Sequence, residues 1–121
     1  MNKTILIVDD SPSIRQMLGM TLRMGGYDVL DACDGIEGLE KALGHEVDLI
    51  ITDQNMPNMD GLTLTQQLRA SARYAGSPIL MLTTESSPEM KARGKAAGLT
   101  GWMVKPFHPQ TLLSVLAKLL N

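Results

Sequence analysis

Cysteine is almost absent from this chain: Cys33 is the only one in 121 residues. A single thiol excludes an internal disulfide framework and a cysteine-built zinc site, and it fits a reducing cytosol. No partner thiol or activating base neighbours Cys33 in sequence, so it reads as a bystander. Histidine is nearly as scarce. His45 and His108 lie far apart, form no ligand pair at metal spacing, and read as surface residues. Basic excess is missing too. With 11 Lys and Arg against 13 Asp and Glu, the net charge is −2, which argues against a nucleic-acid module. Apolar runs extend only a few residues, far short of the ~18 that suggest a membrane span. Met1-Asn2-Lys3-Thr4 leads into such a run without the build of a signal peptide. The Asn2-Lys3-Thr4 sequon is therefore idle, and a cytoplasmic location is expected.

What is present is enough for one domain over residues 1–121, able to bury roughly two-thirds of its unfolded surface. Five short apolar runs punctuate the chain: Ile5–Val8, Tyr27–Leu30, Leu49–Ile51, Ile79–Leu82 and Trp102–Val104. Most are continuous rather than alternating, as in strands covered on both faces of a parallel sheet. The second carries Asp28 and reads as an edge strand ending at Leu30-Asp31. Between the runs, apolar residues recur with helical period. Ile14, Met17, Leu18 and Leu22 mark the first helix; Ile36, Leu39 and Leu43 the second; Leu64 and Leu68 the third. Leu112, Leu113, Leu116, Leu119 and Leu120 mark the last. The fourth, over 89–97, has a weak apolar face and contains Gly94, which costs about 1 kcal/mol against Ala in a helix interior. Met17, Met20 and Met24 share helical spacing and read as core and rim.

Punctuation agrees. Ser11-Pro12 and Ser87-Pro88 each place a cap before Pro, with Ser86 and Glu89 as an alternative capping box. Gly25-Gly26 and Gly98 end helices, and Asp60-Gly61 reads as a turn or cap. The sum is five β-α units in alternation: an α/β fold, a doubly wound parallel sheet with helices on both faces. Starting in a strand and ending in a helix, the chain reads as a complete small protein.

Ligands of open parallel sheets bind at the carboxyl ends of the strands. There the sequence places Asp9, Asp10 and Ser11 after the first strand, and Asp53, Gln54 and Asn55 after the third. Thr83 and Thr84 follow the fourth, and Lys105 the fifth. Unit charges of one sign at 4 Å repel by about 4 kcal/mol at an effective dielectric of 20, so three carboxylates need compensation. Lys105 supplies one charge, and a hard divalent cation such as Mg²⁺ supplies two more. Carboxylate nucleophile, cation, ammonium and hydroxyl together suit phosphoryl transfer through an aspartyl-phosphate. Taken singly, Asp9 and Asp10 would be helix-terminus charges, Asp53 a turn residue, Thr83 a strand end and Lys105 a solvated charge. Their occurrence together outweighs those readings.

Asp9-Asp10, Asp53 with Met56-Pro57-Asn58-Met59-Asp60-Gly61, Thr83, and Lys105-Pro106-Phe107 together resemble the signature of response-regulator receiver domains. The likeness covers essentially the whole chain and is nearest to CheY-like, stand-alone receivers. It implies a flavodoxin-like sheet in the order 2-1-3-4-5. Asp53 would be the phospho-acceptor. Asp10 and Asp53, with the backbone carbonyl of Asn55, would ligate Mg²⁺, and Asp9 would act through water. Lys105 and Thr83 would contact the phosphoryl group, and Lys105-Pro106 would be cis. Asn55 and Glu85 would tune phosphate lifetime, a fairly labile acyl phosphate being expected. Trp102 would be the switch aromatic, rotating inward as Thr83 moves; plain packing is the competing reading. The resemblance implies a histidine kinase as phosphodonor and a phosphatase as a further partner. An output protein, such as a flagellar motor switch, would bind the face of the fourth helix, fifth strand and fifth helix. A phosphorelay intermediate, phosphate sink or scaffold is the alternative. Such a protein is no conventional enzyme but catalyses its own phosphorylation and dephosphorylation. Two features depart from the pattern: Trp stands where Tyr or Phe is commoner, and Thr84 where a small residue is. A flavin carrier is excluded because Asp9 and Asp10 would repel a flavin phosphate. A phosphatase of the haloacid-dehalogenase type would place its nucleophile after the first strand, the reverse of this order.

Overall fold

The computed structural model describes residues 2–120. Five strands, β1 (Thr4–Val8), β2 (Asp28–Ala32), β3 (Leu49–Thr52), β4 (Ile79–Thr83) and β5 (Gly101–Val104), alternate with five helices. The helices are α1 (Pro12–Met24), α2 (Gly35–Gly44), α3 (Gly61–Ala70), α4 (Pro88–Ala97) and α5 (Pro109–Leu120). All strand pairs are parallel, in the order β2-β1-β3-β4-β5. That is the expected doubly wound sheet, with β2 at its edge. No described helix is long and apolar enough to cross a membrane.

The continuous apolar runs have a direct explanation. Successive side chains of a strand point to opposite faces. Ile5 and Ile7 therefore join Leu18, Leu22, Leu112 and Leu116 in a core under α1 and α5. Leu6 and Val8 join Leu64, Leu68 and Tyr74 under α2 and α3. A third, smaller cluster joins Leu62, Met81 and Ala97, with Trp102 packed on it. Tyr74, on a short 3₁₀ turn that periodicity did not reveal, is wholly buried, and its hydroxyl donates to the Ala42 and His45 carbonyls.

Caps fall where the sequence put them. Ser11 and Ser87 accept from the amides of Ile14 and Met90, so the Ser86 capping box is not used. Asp60 caps α3. Gly98 ends α4 at φ 104°, where a Cβ would be strained.

Three expectations change. β2 starts at Asp28 rather than Tyr27 and runs on to Ala32. Of the α2 stripe only Leu39 packs on the core. Ile36 and Leu43 are 45% and 51% exposed, while Gly35, Gly38 and Ala42 are buried. The cause is close approach: a Cβ on Gly38 would lie 2.9 Å from the Val8 side chain. Met17, Met20 and Met24 are not core or rim; they are 54%, 57% and 86% exposed and line a shallow groove with Phe107 and Pro109. Leu18 and Leu22 already fill the space between α1 and the sheet.

Two measurements check this packing. Leu22→Ala should cost about 2–5 kcal/mol in urea unfolding, and Met24→Ala no more than about 0.5 kcal/mol. In native-state amide exchange, α4, with only Gly94 and Ala97 buried, should open faster than α1 or α5.

Candidate functional site

β1, β3 and β5 each deliver a polar residue just past the last sheet position, whereas Thr83 is the last residue of β4 itself. The ladder continues one step further at each of these three. Asp9 N–H donates to Ala32 O at 3.1 Å, Asp53 N–H to Val8 O at 2.9 Å and Lys105 N–H to Thr83 O at 2.9 Å. The backbones bearing two carboxylates and the ammonium are thus held by the sheet itself.

Lys105 reaches across from the sheet's other edge. Its Nζ lies 2.8 Å from Asp9 Oδ2 and 2.9 Å from Asp53 Oδ2. Asp9 and Asp53 are only 2% and 8% exposed. Burial pushes the Asp9 carboxyl above its ordinary range. The bonds from Lys105 and the Ser11 amide oppose this, and the neighbouring Asp53 charge adds to it. Burial alone would lower the Lys105 ammonium, but its bonds to Asp9 and Asp53 outweigh that and raise it. Asp10 is exposed, and one oxygen from each of Asp9, Asp10 and Asp53 falls within 4.8 Å of the others. Three negative charges face one positive. At that spacing each like pair costs about 3 kcal/mol at an effective dielectric of 20, less for Asp10, which water screens. The surplus charge and the all-oxygen donor set fit a small hard divalent cation.

The loop after β3 is tied down from several sides. The Gln54 amide donates to Asp53 Oδ1 at 2.7 Å. Gln54's side chain accepts from Leu62 N–H at 2.8 Å and donates to Asp60 at 3.2 Å. Any Cβ on Gly61 would collide with the Asp53 carbonyl. Asn58, at φ 69°, donates to Asp34 at 2.7 Å, and Gly35 packs too tightly on Met59 for any side chain. Hydrogen bonds from the Glu37 amide and from Asn58 hold the Asp34 carboxyl below its usual range.

A second group flanks the carboxylates. Thr83 is fully buried, and its Oγ accepts from Glu85 N–H at 3.3 Å. Asn55 is exposed, and its Nδ2 donates to Glu85 Oε1 at 3.1 Å. Trp102 Nε1 donates to the Glu85 carbonyl at 2.9 Å. Lys105-Pro106 is cis. Cys33, His45 and His108 are exposed and belong to neither group.

Arg15 escaped the sequence reading. It donates to the Asp9 carbonyl at 2.7 Å and to Asp31 at 3.1 Å. Asp31, in β2, is thereby linked through Arg15 to the site's rim. The signal was available: Arg15 lies one helical turn beyond Ser11, where a long side chain overhangs the acidic loop.

Comparison with known proteins follows the same lines. Residues 5–117 match the response regulator receiver domain. The chain belongs to that family. This receiver is 41% identical to a chemotaxis protein CheY homolog of Campylobacter jejuni, over 97% of its own length and 92% of the relative's. It is 40% identical to the DNA-binding dual master transcriptional regulator RpaA of Synechocystis, but spans only 48% of that protein. Chemotaxis protein CheY4 of Vibrio cholerae superposes with a TM-score of 0.95 at 52% identity, covering 99% of this receiver and 100% of that structure. The receiver domain of the Pseudomonas aeruginosa sensor histidine kinase PA1611 superposes at 0.92 with 28% identity, covering 99% and 98%; it has magnesium coordinated in its active-site cleft. Receiver domains serve two-component signalling and bind Mg²⁺ in the acidic pocket, the place that Asp9, Asp10 and Asp53 occupy here.

Removing one surplus charge tests the electrostatics. Asp10→Asn should raise the melting temperature in EDTA and abolish the further rise that Mg²⁺ gives the unmodified chain.

Proposed function

We propose that the chain accepts a phosphoryl group on Asp53 from a phosphohistidine of a histidine kinase. The observation that carries this reading is Lys105 Nζ, shared between Asp9 and Asp53 at 2.8 and 2.9 Å within the acidic cluster. In the step, an Asp53 carboxylate oxygen forms a bond to phosphorus. The phosphorus–nitrogen bond of the donor breaks, and its electron pair stays on the imidazole. Asp9, Asp10 and Asp53, with the Asn55 carbonyl, would hold Mg²⁺, which when bound neutralises charge on the transferring group.

The chain's own residues do the rest. Gln54 N–H and Lys105 orient the Asp53 carboxylate. Lys105 then turns to the phosphoryl oxygens, where an ammonium already desolvated by its surroundings acts most strongly. Thr83 Oγ accepts from Glu85, so its own proton remains free to donate to a phosphoryl oxygen. Asn55 and Glu85, hydrogen-bonded to one another at the rim, stand on the path water takes to the acyl phosphate and set its lifetime. The phosphorylated state then shifts a pre-existing equilibrium at α4, β5 and α5, changing affinity for an output protein. Likeness to chemotaxis proteins over nearly their full length supports flagellar motor control. The likeness to longer proteins such as RpaA keeps a second reading, a phosphorelay role outside chemotaxis.

Incubation with acetyl phosphate and Mg²⁺ should add the mass of one phosphoryl group. Asp53→Asn and EDTA should each abolish the gain, and Lys105→Met should slow it by a factor of about 10²–10³, the usual cost of losing one preorganised charge. Turnover of a generic phosphate ester without a retained adduct would overturn the proposal.

A further inference from the structure

Gly94 sits inside α4 and is buried, although a helix-interior Gly costs about 1 kcal/mol against Ala. Its surroundings explain what it does. A Cβ there would lie 2.7 Å from Trp102 Cζ3, 3.0 Å from Cε3 and 2.7 Å from Leu99 Cδ1. Leu99 has a flexible end that can move aside. The indole does not: it is a rigid plane whose backbone is paired with Met81 on β4 and whose Nε1 is bonded to the Glu85 carbonyl at 2.9 Å. The ring is thus held at two edges, one by the bare helix surface at Gly94 and one by the loop between β4 and α4. Glu85 carries the connection inward. Its N–H meets the Thr83 hydroxyl, and its carboxylate meets Asn55 beside Asp53.

We infer that Gly94 is the positioning residue of the switch: by lacking a side chain it seats Trp102 against α4, so that ring, loop and helix move as one body. This rests on the phosphorylation reading above and deepens it. The signal enters at Thr83 and Glu85 and leaves as a displacement of the whole unit. Trp102 does not rotate on its own, in contrast to the inward rotation that the sequence resemblance implied. Trp at this position is then tied to Gly at 94, because a larger ring needs the space that a Cβ would take.

The single tryptophan makes the test direct. Acrylamide quenching of Trp102 is measured on the full chain in Mg²⁺, with and without saturating beryllofluoride. Binding of beryllofluoride is followed separately by ¹⁹F NMR, with Asp53→Asn as the blank. The unmodified chain should bind beryllofluoride while its quenching constant stays unchanged. Gly94→Ala should increase quenching in the resting state and weaken beryllofluoride binding by about tenfold, as overpacking displaces the ring and loosens Glu85. Adding Trp102→Tyr to Gly94→Ala should restore that binding to the level of Trp102→Tyr alone. A purely structural glycine would lower thermal stability and leave beryllofluoride binding untouched, which would overturn the inference. So would a marked change in quenching when the unmodified chain binds beryllofluoride, a comparison that needs no variant. If the unmodified chain binds no beryllofluoride, the phosphorylation reading fails, while the resting-state quenching of Gly94→Ala still decides whether Gly94 seats the ring.

Discussion

One ammonium between two buried carboxylates is the interaction on which this molecule's arrangement turns. Lys105 Nζ contacts Asp9 and Asp53 at once. Isolated charges at this depth would be costly to desolvate, and a pair that is both close and hydrogen-bonded offsets that cost. Yet the compensation is incomplete. Asp10 brings a third negative charge within 4.8 Å, and no second cation of the chain reaches the cluster with a side-chain ion pair among the described residues. Arg15, the nearest candidate, spends its guanidinium on the Asp9 carbonyl and on Asp31. The site is thus built to be unsatisfied alone. A local deficit of positive charge makes it receptive to a divalent cation.

The sheet is what makes such a deficit tolerable. Asp9, Asp53 and Lys105 all continue the ladder by one backbone hydrogen bond past the last strand residue, so repulsion cannot simply splay them apart. The same reasoning explains the two tight glycines around the β3–α3 loop. Gly61 meets the Asp53 carbonyl and Gly35 meets Met59, each at a distance that admits no Cβ. These contacts bring the N-termini of α3 and α2 against the loop carrying Asp53. Rigidity at the carboxylates contrasts with α4, which buries little and anchors through Gly94 and Ala97. The carboxylates are thus tied into the sheet, whereas α4 is held by few buried residues.

The parts of this design that sequence reveals are those set by local chemistry. Continuous runs such as Ile5–Val8 declare strands buried on both faces, and cap residues such as Ser11, Ser87 and Asp60 declare helix starts. The carboxylates and Lys105 declare themselves because only a shared site makes sense of them together. What stayed hidden depends on distance between elements. Helical period alone pointed Ile36 and Leu43 at the sheet, but Gly38 lies so near Val8 that α2 turns its small residues inward. Period also placed Met17, Met20 and Met24 inward, whereas Leu18 and Leu22 had already filled that face. Tyr74 acts through a contact to the Ala42 carbonyl, 32 residues away, that no spacing rule encodes.

Glu85 shows why such contacts matter for signalling. Its amide, carbonyl and carboxylate engage three different residues: Thr83, Trp102 and Asn55. On the phosphorylation proposed for Asp53, drawing the Thr83 hydroxyl toward a phosphoryl oxygen would weaken the bond that Glu85 N–H makes to it. That would perturb the loop bearing the carbonyl that holds the indole. Coupling of this kind needs a contiguous set of groups with two arrangements, and here the set is only four residues long. Thr84, which stands where a smaller residue is commoner, is exposed and outside the set; it leaves the Thr83–Glu85 contact intact. Trp102 matters more, because its indole N–H supplies a donor to Glu85 that a phenylalanine ring lacks. In this chain, then, the aromatic is both a packed side chain and a hydrogen-bond donor. Its N–H ties it directly to the loop that carries Glu85.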